Sequence, residues 1–173
     1  MDTYYTIEEK YLKAVQKIDY GRTSKGLLLL KEIVENEPLF ARAHYQLGKI
    51  YYYELKDYRT AGYHLKCCVD IEPDFPDAYF DYLSLVVFLN MEKLVRQVSE
   101  KALKVPGVFK ADVYSQLGLF YENNKAFNNA LDAYKLAFLE ATQKHVADEI
   151  TESIERLSAK IRHGNSLQYN LTG

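Results

Sequence analysis

Tryptophan is missing from this sequence of 173 residues, and proline and glycine are scarce, at 4 and 8 residues. This scarcity is typical of an all-helical chain, because both residues interrupt helices. Long hydrophobic runs are missing as well: the longest, residues 85–89, is far too short to cross a membrane. The first residues lack the basic start and apolar core of a secretory signal, so we expect a cytoplasmic protein without a membrane partner.

An excess of positive charge is also absent. The 22 basic residues are outnumbered by 24 acidic ones and form no basic run. Because nucleic-acid binding depends on clustered lysine and arginine that neutralise phosphates, this balance predicts no nucleic-acid partner. A hydrophobic content of 48% is normal for a folded globular chain, so disorder is not expected.

Motifs for catalysis, metal binding or cofactor binding are missing too. The four histidines share no ligand spacing with cysteine or acidic residues, and His44 and His64 are expected to be structural. Helix geometry would point the adjacent Cys67 and Cys68 about 100° apart, which favours a core thiol beside a surface thiol over a redox or metal site. We therefore predict no enzyme activity, no metal and no cofactor.

What the sequence does contain is a repeat. Leu47-Gly48 recurs 70 residues later as Leu117-Gly118, in each case with a tyrosine three residues further on, and this distance is two units of 35. Small or apolar residues form two further columns with steps of 35, 34 and 35: Gly26, Ala61, Val95 and Ala130, then Ile33, Cys68, Ala102 and Ala137. A fixed period of this length is typical of a helical solenoid, in which small side chains let paired helices cross closely.

The pattern resembles the tetratricopeptide repeat over about residues 7 to 142. The best unit carries the family's large and small positions at the family's spacing: Tyr114, Leu117, Gly118, Tyr121, Phe127, Ala130, Tyr134 and Ala137. The preceding Leu-Gly unit also matches, with one extra residue placed in its inter-helix turn, at 54–57. The other two units depart more, and in one of them Tyr82-Leu83 replaces the Leu-Gly pair.

The resemblance implies an all-α fold, a right-handed α-solenoid of about four helix–turn–helix units plus a C-terminal capping helix. The units are expected over 7–40, 41–75, 76–109 and 110–142, within one domain spanning 1–164. Prolines 38, 73 and 106 would close three of them. A generic helical bundle is one alternative; the other is the RNA-binding pentatricopeptide repeat, which the charge balance disfavours.

Past the fourth unit, apolar residues continue along one face of a helix. They are spaced by 4, 4, 3 and 4 residues: Val146, Ile150, Ile154, Leu157 and Ile161. A single apolar stripe with polar residues elsewhere predicts a capping helix over about 143–163, because a terminal repeat needs a polar outer face. His163-Gly164 is the predicted stop, and residues 165–173 are expected to form a flexible tail.

The resemblance also implies a protein-interaction scaffold, in which the first helix of each unit lines a concave face. Helix periodicity then predicts ten residues on this face, called here the predicted binding face: Arg42, Tyr45, Lys49, Tyr52, Tyr53, Phe80, Ser84, Val87, Phe88 and Leu119. Most are aromatic or aliphatic, so we predict a groove that binds a peptide or helix of another protein. The lysine, arginine and asparagine clamp that the family uses for C-terminal carboxylates is not matched.

Two alternatives stay open for this face. It could be covered by self-association, for instance in a homodimer, or by a terminal segment carrying Tyr4, Tyr5 and Ile7 or Leu167, Tyr169 and Leu171. It could also belong to the core, because the unit that contains Phe80 and Phe88 is degenerate. The identity of the partner is not indicated by the sequence.

Overall fold

The structure, a computed structural model, describes the backbone of residues 6–171 and the side chains of residues 6–163. Every regular element in this part of the chain is helical, which confirms the predicted all-α architecture. The elements, in order, are α1 (Ile7–Asp19), α2 (Thr23–Asn36), α3 (Ala41–Lys49), a π-helical turn (Ile50–Glu54), α4 (Tyr58–Ile71), α5 (Pro76–Phe88), α6 (Glu92–Ala102), α7 (Lys110–Asn123), α8 (Phe127–Glu140) and α9 (Lys144–Leu171). Each of these helices is too short or too polar to traverse a lipid bilayer, as far as the described residues extend.

The chain divides into two compact units, Met1–Leu85 and Val86–Gly173, and the division falls inside α5. The first unit holds α1 to α4 and most of α5, and the second holds the end of α5 and α6 to α9. The boundaries predicted for the individual repeats, and the single domain over 1–164, stay predictions.

The two columns of small and apolar residues are buried, as the repeat predicts. The members of both columns are inaccessible or nearly so: Gly26, Ala61, Val95, Ala130, Ile33, Cys68, Ala102 and Ala137. Their smallness lets paired helices approach closely. A methyl group added at Gly48 of α3 would lie 2.7 Å from Cγ of Leu65 of α4, and one added at Gly118 of α7 would lie 2.6 Å from Cε1 of Tyr134 of α8. The sequence column thus marks where helix backbones nearly touch.

The turns inside the helix pairs repeat with the same period as these columns. One residue with positive φ ends the first helix each time: Gly21 (φ 71°), Lys56 (φ 55°), Asn90 (φ 53°) and Lys125 (φ 60°). In three turns the next backbone N–H donates to a carbonyl five residues back, as Arg22 does to Lys17 at 2.8 Å. This is the Schellman arrangement, which satisfies the last carbonyl groups of a helix.

The unit over 41–75 has one residue more than the other units between its first helix and its turn. The structure places this additional residue at the end of the first helix. Residues Ile50–Glu54 form a π-helix, in which Leu55 N–H donates to Ile50 O at 3.0 Å. The bond that closes this turn, from Asp57 N–H to Tyr51 O, accordingly spans six residues instead of five. The prediction that the extra residue lies at 54–57 is therefore wrong. Lys56 keeps the positive φ of its equivalents, and the π-helix before it takes up the additional residue.

The C-terminal helix carries the predicted apolar stripe but extends further than predicted. Ile150 and Leu157 are buried in the core of the second unit, where Val146, Ile154 and Ile161 also pack. The helix does not stop at His163-Gly164, and its backbone continues to Leu171. A lone glycine costs a helix interior only about 1 kcal/mol, and no proline follows to end it. Residues 165–171, predicted to be a flexible tail, are thus helical.

Glu122 of α7 anchors this helix by charge. Its carboxylate, on a side chain only 10% exposed, accepts hydrogen bonds from Arg156 and Lys160 of α9, both at 2.8 Å. Burial alone would raise the pKa of Glu122, but hydrogen bonds and charge from the two cations outweigh burial, and the pKa lies below its usual value. The hydroxyl of Tyr134 also donates to it, at 3.3 Å.

Neutralising Glu122 is therefore expected to loosen the C-terminal helix. Glu122→Gln should lower the free energy of unfolding by about 1–2 kcal/mol, because two charge-assisted hydrogen bonds are weakened at once. Asp132→Asn is the matched control, since Asp132 pairs with Lys135 at 3.6 Å on an exposed surface and should matter by less than about 0.5 kcal/mol. Urea unfolding of both variants measures the difference. Equal midpoints for the two would contradict the anchoring role.

Candidate protein-binding face

Arg42, at one end of the predicted binding face, is already engaged by its own unit. Its guanidinium pairs with Glu8 of α1 and lies 5.2 Å from the ring centre of Tyr11 and 5.1 Å from that of Phe40. These contacts join α3 to α1. Arg42 therefore serves packing within the first unit, although its side chain stays 46% exposed.

Tyr45 and Lys49 follow on the same face of α3. The ring of Tyr45 packs against Phe75 with 4.9 Å between centroids, and Lys49 Nζ lies 5.1 Å from the Tyr45 ring centre. Tyr45 is half-buried, and burial raises the pKa of its hydroxyl far above the usual value, with Asp81 and Asp77 adding to the rise. The tyrosine thus stays protonated and lies close to two acidic side chains of α5.

The π-helical turn presents two consecutive tyrosines beside this pair. The rings of Tyr52 and Tyr53 are 4.4 Å apart, and Tyr53 donates a hydrogen bond of 2.6 Å to Oδ1 of Asp81. Burial, followed by this hydrogen bond and the charge of Asp81, raises the pKa of Tyr53 well above its usual range. Tyr53 nonetheless keeps 45% of its surface exposed. The face is therefore polar beneath and aromatic at its surface.

Asp81, which the sequence reading missed, is the centre of this arrangement. It is 6% exposed, and it is the only acidic residue among the buried residues of the described chain. Its partner Tyr53 is 28 positions away in the sequence, so no local spacing predicts the contact between them. One signal was available, because Asp77, Asp81 and Ser84 follow one another at helical spacing on one face of α5.

The remaining predicted residues of α5 divide between surface and core. Phe80 is 44% exposed, and Ser84 is half-buried with a hydroxyl that finds no hydrogen-bond partner among the described residues. Val87 is only 3% exposed, so placing it on an exposed face was wrong. The end of α5 is apolar on nearly all sides, with Leu85, Val86 and Val87 all buried. In such a helix the spacing of apolar residues does not separate a buried side from an exposed side.

Besides the buried Val87, two residues of the predicted binding face belong to the second unit. Phe88 is 59% exposed, at the end of α5, and Leu119 of α7 is 42% exposed. Both are large apolar side chains at the surface, as predicted. Tyr4 and Tyr5 lie outside the described residues, as do the side chains of Leu167, Tyr169 and Leu171, so coverage by a terminal segment stays a prediction.

The second unit also contains a cleft that the sequence did not predict. Its volume is about 560 Å³, and residues 108–112 and 140–143 with His145 and Val146 line it. Burial raises the pKa of Asp112 at its wall. No further group with a clear chemical role converges there among the described residues, so the cleft adds little to the choice of function.

The two histidines of the first unit lie in its core. His44 and His64 are both buried, with their Nδ1 atoms 2.9 Å apart. Because the carbonyl of Pro38, 3.0 Å from His44 Nε2, can only accept, His44 carries its proton on Nε2 and accepts the Nδ1 proton of His64. Both rings are therefore neutral. Burial lowers the pKa of both, that of His64 to about 4, with electrostatic interactions with His44 and Lys31 contributing to the latter.

The cysteines behave as the sequence suggests. Both thiols are free; Cys68 is buried in α4 and Cys67 is half-buried. Burial raises the pKa of Cys68 to about 12, which makes it an unreactive core residue. Within residues 6–163, no three His, Cys, Asp or Glu side chains are grouped so as to hold a metal ion.

Three solved structures similar to this chain are tetratricopeptide-repeat-type proteins. A fragment of MamA from Desulfovibrio magneticus RS-1, residue 41 to the end, superposes with a TM-score of 0.66 and 18% identity over 91% of this chain and 96% of that chain. PilW, a widely conserved type IV pilus biogenesis factor, superposes with a TM-score of 0.65 and 17% identity, over 91% of this chain and 80% of that chain. A thermophilic tetratricopeptide-repeat protein of Thermus thermophilus superposes with a TM-score of 0.61 and 20% identity, over 88% of this chain and 85% of that chain.

No protein-family model and no curated protein sequence matches the chain. Identities of 17% to 20% establish likeness of fold alone. At that level the resemblance read from the sequence is confirmed, and the chain has the helical-repeat solenoid fold of tetratricopeptide-repeat proteins.

Proposed function

We propose that this chain, which has the tetratricopeptide-repeat fold, is a non-catalytic scaffold that docks a peptide or helix of another protein. The observation that carries the proposal is the surface of the first unit, where the almost half-exposed Tyr53 packs on the half-buried Tyr52 and binds Asp81, the sequence neighbour of the almost half-exposed Phe80. Adjacent exposed aromatic side chains are typical of binding surfaces and of the residues that dominate binding energy. A cytoplasmic location and the absence of nucleic-acid and membrane partners remain part of the proposal.

A pair of variants matched in exposure tests this function. Phe80 is 44% exposed on the predicted binding face, and Phe138, on α8, is 46% exposed and outside it. Phe80→Glu is expected to reduce recovery of a protein partner from source-cell extract by about tenfold or more, because a central aromatic anchor is replaced by a charge. Phe138→Glu should recover the partner like the wild type. Circular dichroism first confirms that both variants fold.

Two results would count against docking at this face. Equal recovery by the two variants would place the partner elsewhere on the chain. Loss of helicity in Phe80→Glu alone would show that Phe80 belongs to the core, because a buried unpaired charge is among the costliest substitutions.

Self-association is a second candidate, favoured by exposed aliphatic residues on the first helix pair. Leu12 of α1 is 62% exposed and Leu28 of α2 is 67% exposed. Sedimentation velocity over a wide concentration range separates the two functions. A dimer that Leu12→Glu and Leu28→Glu convert to monomer would favour self-association, whereas a monomer at every concentration would exclude it.

A further inference from the structure

Asp81 is a buried carboxylate without a cation. Among the ion pairs of the described residues, all seven involve other acidic groups. It accepts a hydrogen bond from the neutral hydroxyl of Tyr53 at 2.6 Å, and the hydroxyl of Tyr45 lies close enough for Asp81 to raise its pKa. Burying a carboxylate is costly unless it is paired, so a buried, cation-free carboxylate on a binding face is a site that a positive charge would complete.

The surroundings of Asp81 suit a positive charge in two ways. Tyrosine rings attract cations through their faces, and Lys49 Nζ, 5.1 Å from the Tyr45 ring centre, shows that this cluster already accepts one. Ser84, one helical turn beyond Asp81 on α5, has a buried hydroxyl oxygen with no partner among the described residues. That oxygen and the remaining lone pairs of the Asp81 carboxylate are acceptors that an N–H donor could use.

Asp77 and Lys49 set the charge balance around the site. Asp77 lies one turn before Asp81 on α5, is exposed, and is near enough to act on the hydroxyl of Tyr45. Lys49 opposes the two carboxylates, but it lies over Tyr45 and forms no ion pair with Asp81. The cluster therefore carries a net negative charge of about one, and its buried carboxylate forms no ion pair among the described residues.

We propose that Asp81, with Tyr45, Tyr53 and Ser84 around it, is a recognition site for an arginine side chain of the docked protein segment. The inference rests on the proposed function and names the chemistry of the partner. Arginine suits the site better than lysine, because a planar guanidinium can stack on a tyrosine ring while it donates two hydrogen bonds to one carboxylate. The hydroxyl of Tyr53 donates to the carboxylate while the site is empty, and the guanidinium would compete with it for the same oxygen.

A small probe tests the site without any protein partner. The full chain is titrated with Nα-acetyl-arginine methylamide and with its citrulline counterpart, in which a neutral urea replaces the guanidinium, and amide chemical shifts are followed by NMR. We expect saturable shifts around Asp81 and Tyr53 with the arginine compound only. Asp81→Asn should weaken this binding by about tenfold, and Asp77→Asn by no more than about threefold, since an exposed charge is screened.

Each other outcome decides against the site. Equal shifts from the citrulline compound, equal binding by wild type and Asp81→Asn, or no arginine-specific shift at millimolar concentration would overturn the inference. If Asp81→Asn does not fold, Tyr53→Phe replaces it as the test. That variant removes the competing donor, so arginine binding should be kept or strengthened, and its loss would overturn the assignment to Asp81.

The proposed function and this inference fail separately. Recovery of a partner that depends on Phe80, together with no arginine binding, removes the arginine site and leaves the scaffold. Arginine binding at Asp81 without any partner that depends on Phe80 removes docking at the aromatic surface and leaves a cation site.

Discussion

Replacing Gly118 by leucine is expected to lower the free energy of unfolding by about 3 kcal/mol, the upper part of the range for overpacked cores. A single methyl group at this position would already lie 2.6 Å from Cε1 and 2.7 Å from Cδ1 of Tyr134. Tyr134 cannot easily move aside, since it is 5% exposed and its hydroxyl is bound to Glu122. The larger side chain must therefore push α7 and α8 apart.

Gly62→Ala is the control, because Gly62 is a helix glycine with space beside it. A methyl group there meets only Leu85 Cδ2, at 3.7 Å, which is ordinary contact. Alanine should therefore raise the free energy of unfolding by about 0.5–1 kcal/mol through its better helix propensity. Guanidinium unfolding gives both values. A Gly118→Leu midpoint equal to that of the wild type would show that the two helices do not approach as closely as the structure indicates.

Acidification from pH 7 to pH 5 is expected to lower the free energy of unfolding by about 2 kcal/mol through His64 alone. The pKa of His64 is about 4 in the folded chain, against 6.5 for an unperturbed histidine. Between these values the unfolded chain binds more protons than the folded one, so falling pH favours unfolding. The stabilisation is complete above about pH 6.5 and is lost as the pH falls towards 4.

The geometry of the histidine pair explains why the folded chain resists protonation. A proton added to His44 would go to Nδ1, which already accepts the proton of His64 across 2.9 Å. A proton added to His64 would place a buried charge near Lys31. His44, whose pKa is also lowered by burial, shifts stability in the same direction. The rings packed on His64 are those of Tyr51 and Tyr63, and neither is a carboxylate that could pair with an imidazolium.

Urea unfolding at several pH values measures this effect, with His64→Gln as the comparison. Glutamine keeps an N–H donor for His44 but does not titrate. Its free energy of unfolding should therefore change less between pH 7 and pH 5 than that of the wild type, by about 2 kcal/mol. Parallel pH profiles would mean that His64 is protonated equally in the folded and unfolded chain.

The features predicted correctly from the sequence are those fixed by spacing along one helix pair. The columns through Ala61 and Ala130 are buried because helices that cross closely require small residues at constant intervals. The stripe through Ile150 and Leu157 is buried because a helix with one apolar face can pack in only one way. Such features repeat, so weak copies can be aligned with strong ones.

The features that were missed depend on contacts between distant residues. Tyr53 and Asp81 are 28 residues apart, and His44 and His64 are 20 apart, so neither contact has a local signature. Val87 was misplaced because the end of α5 is apolar on most sides, and only tertiary contacts decide which side is covered. The end of α9 was missed because a glycine weakens a helix without necessarily ending it.

The widened turn at the end of α3 shows how a repeat of this kind can vary by insertion. One additional codon is absorbed within Ile50–Glu54, and Lys56 keeps the positive φ of its equivalents in the other turns. Each residue added to a helix turns the following side chains by about 100°, and Tyr52 and Tyr53 lie in the π-helical turn that takes up this residue. An insertion of one residue can therefore change which side chains a repeat offers to a partner, without changing how the repeats stack.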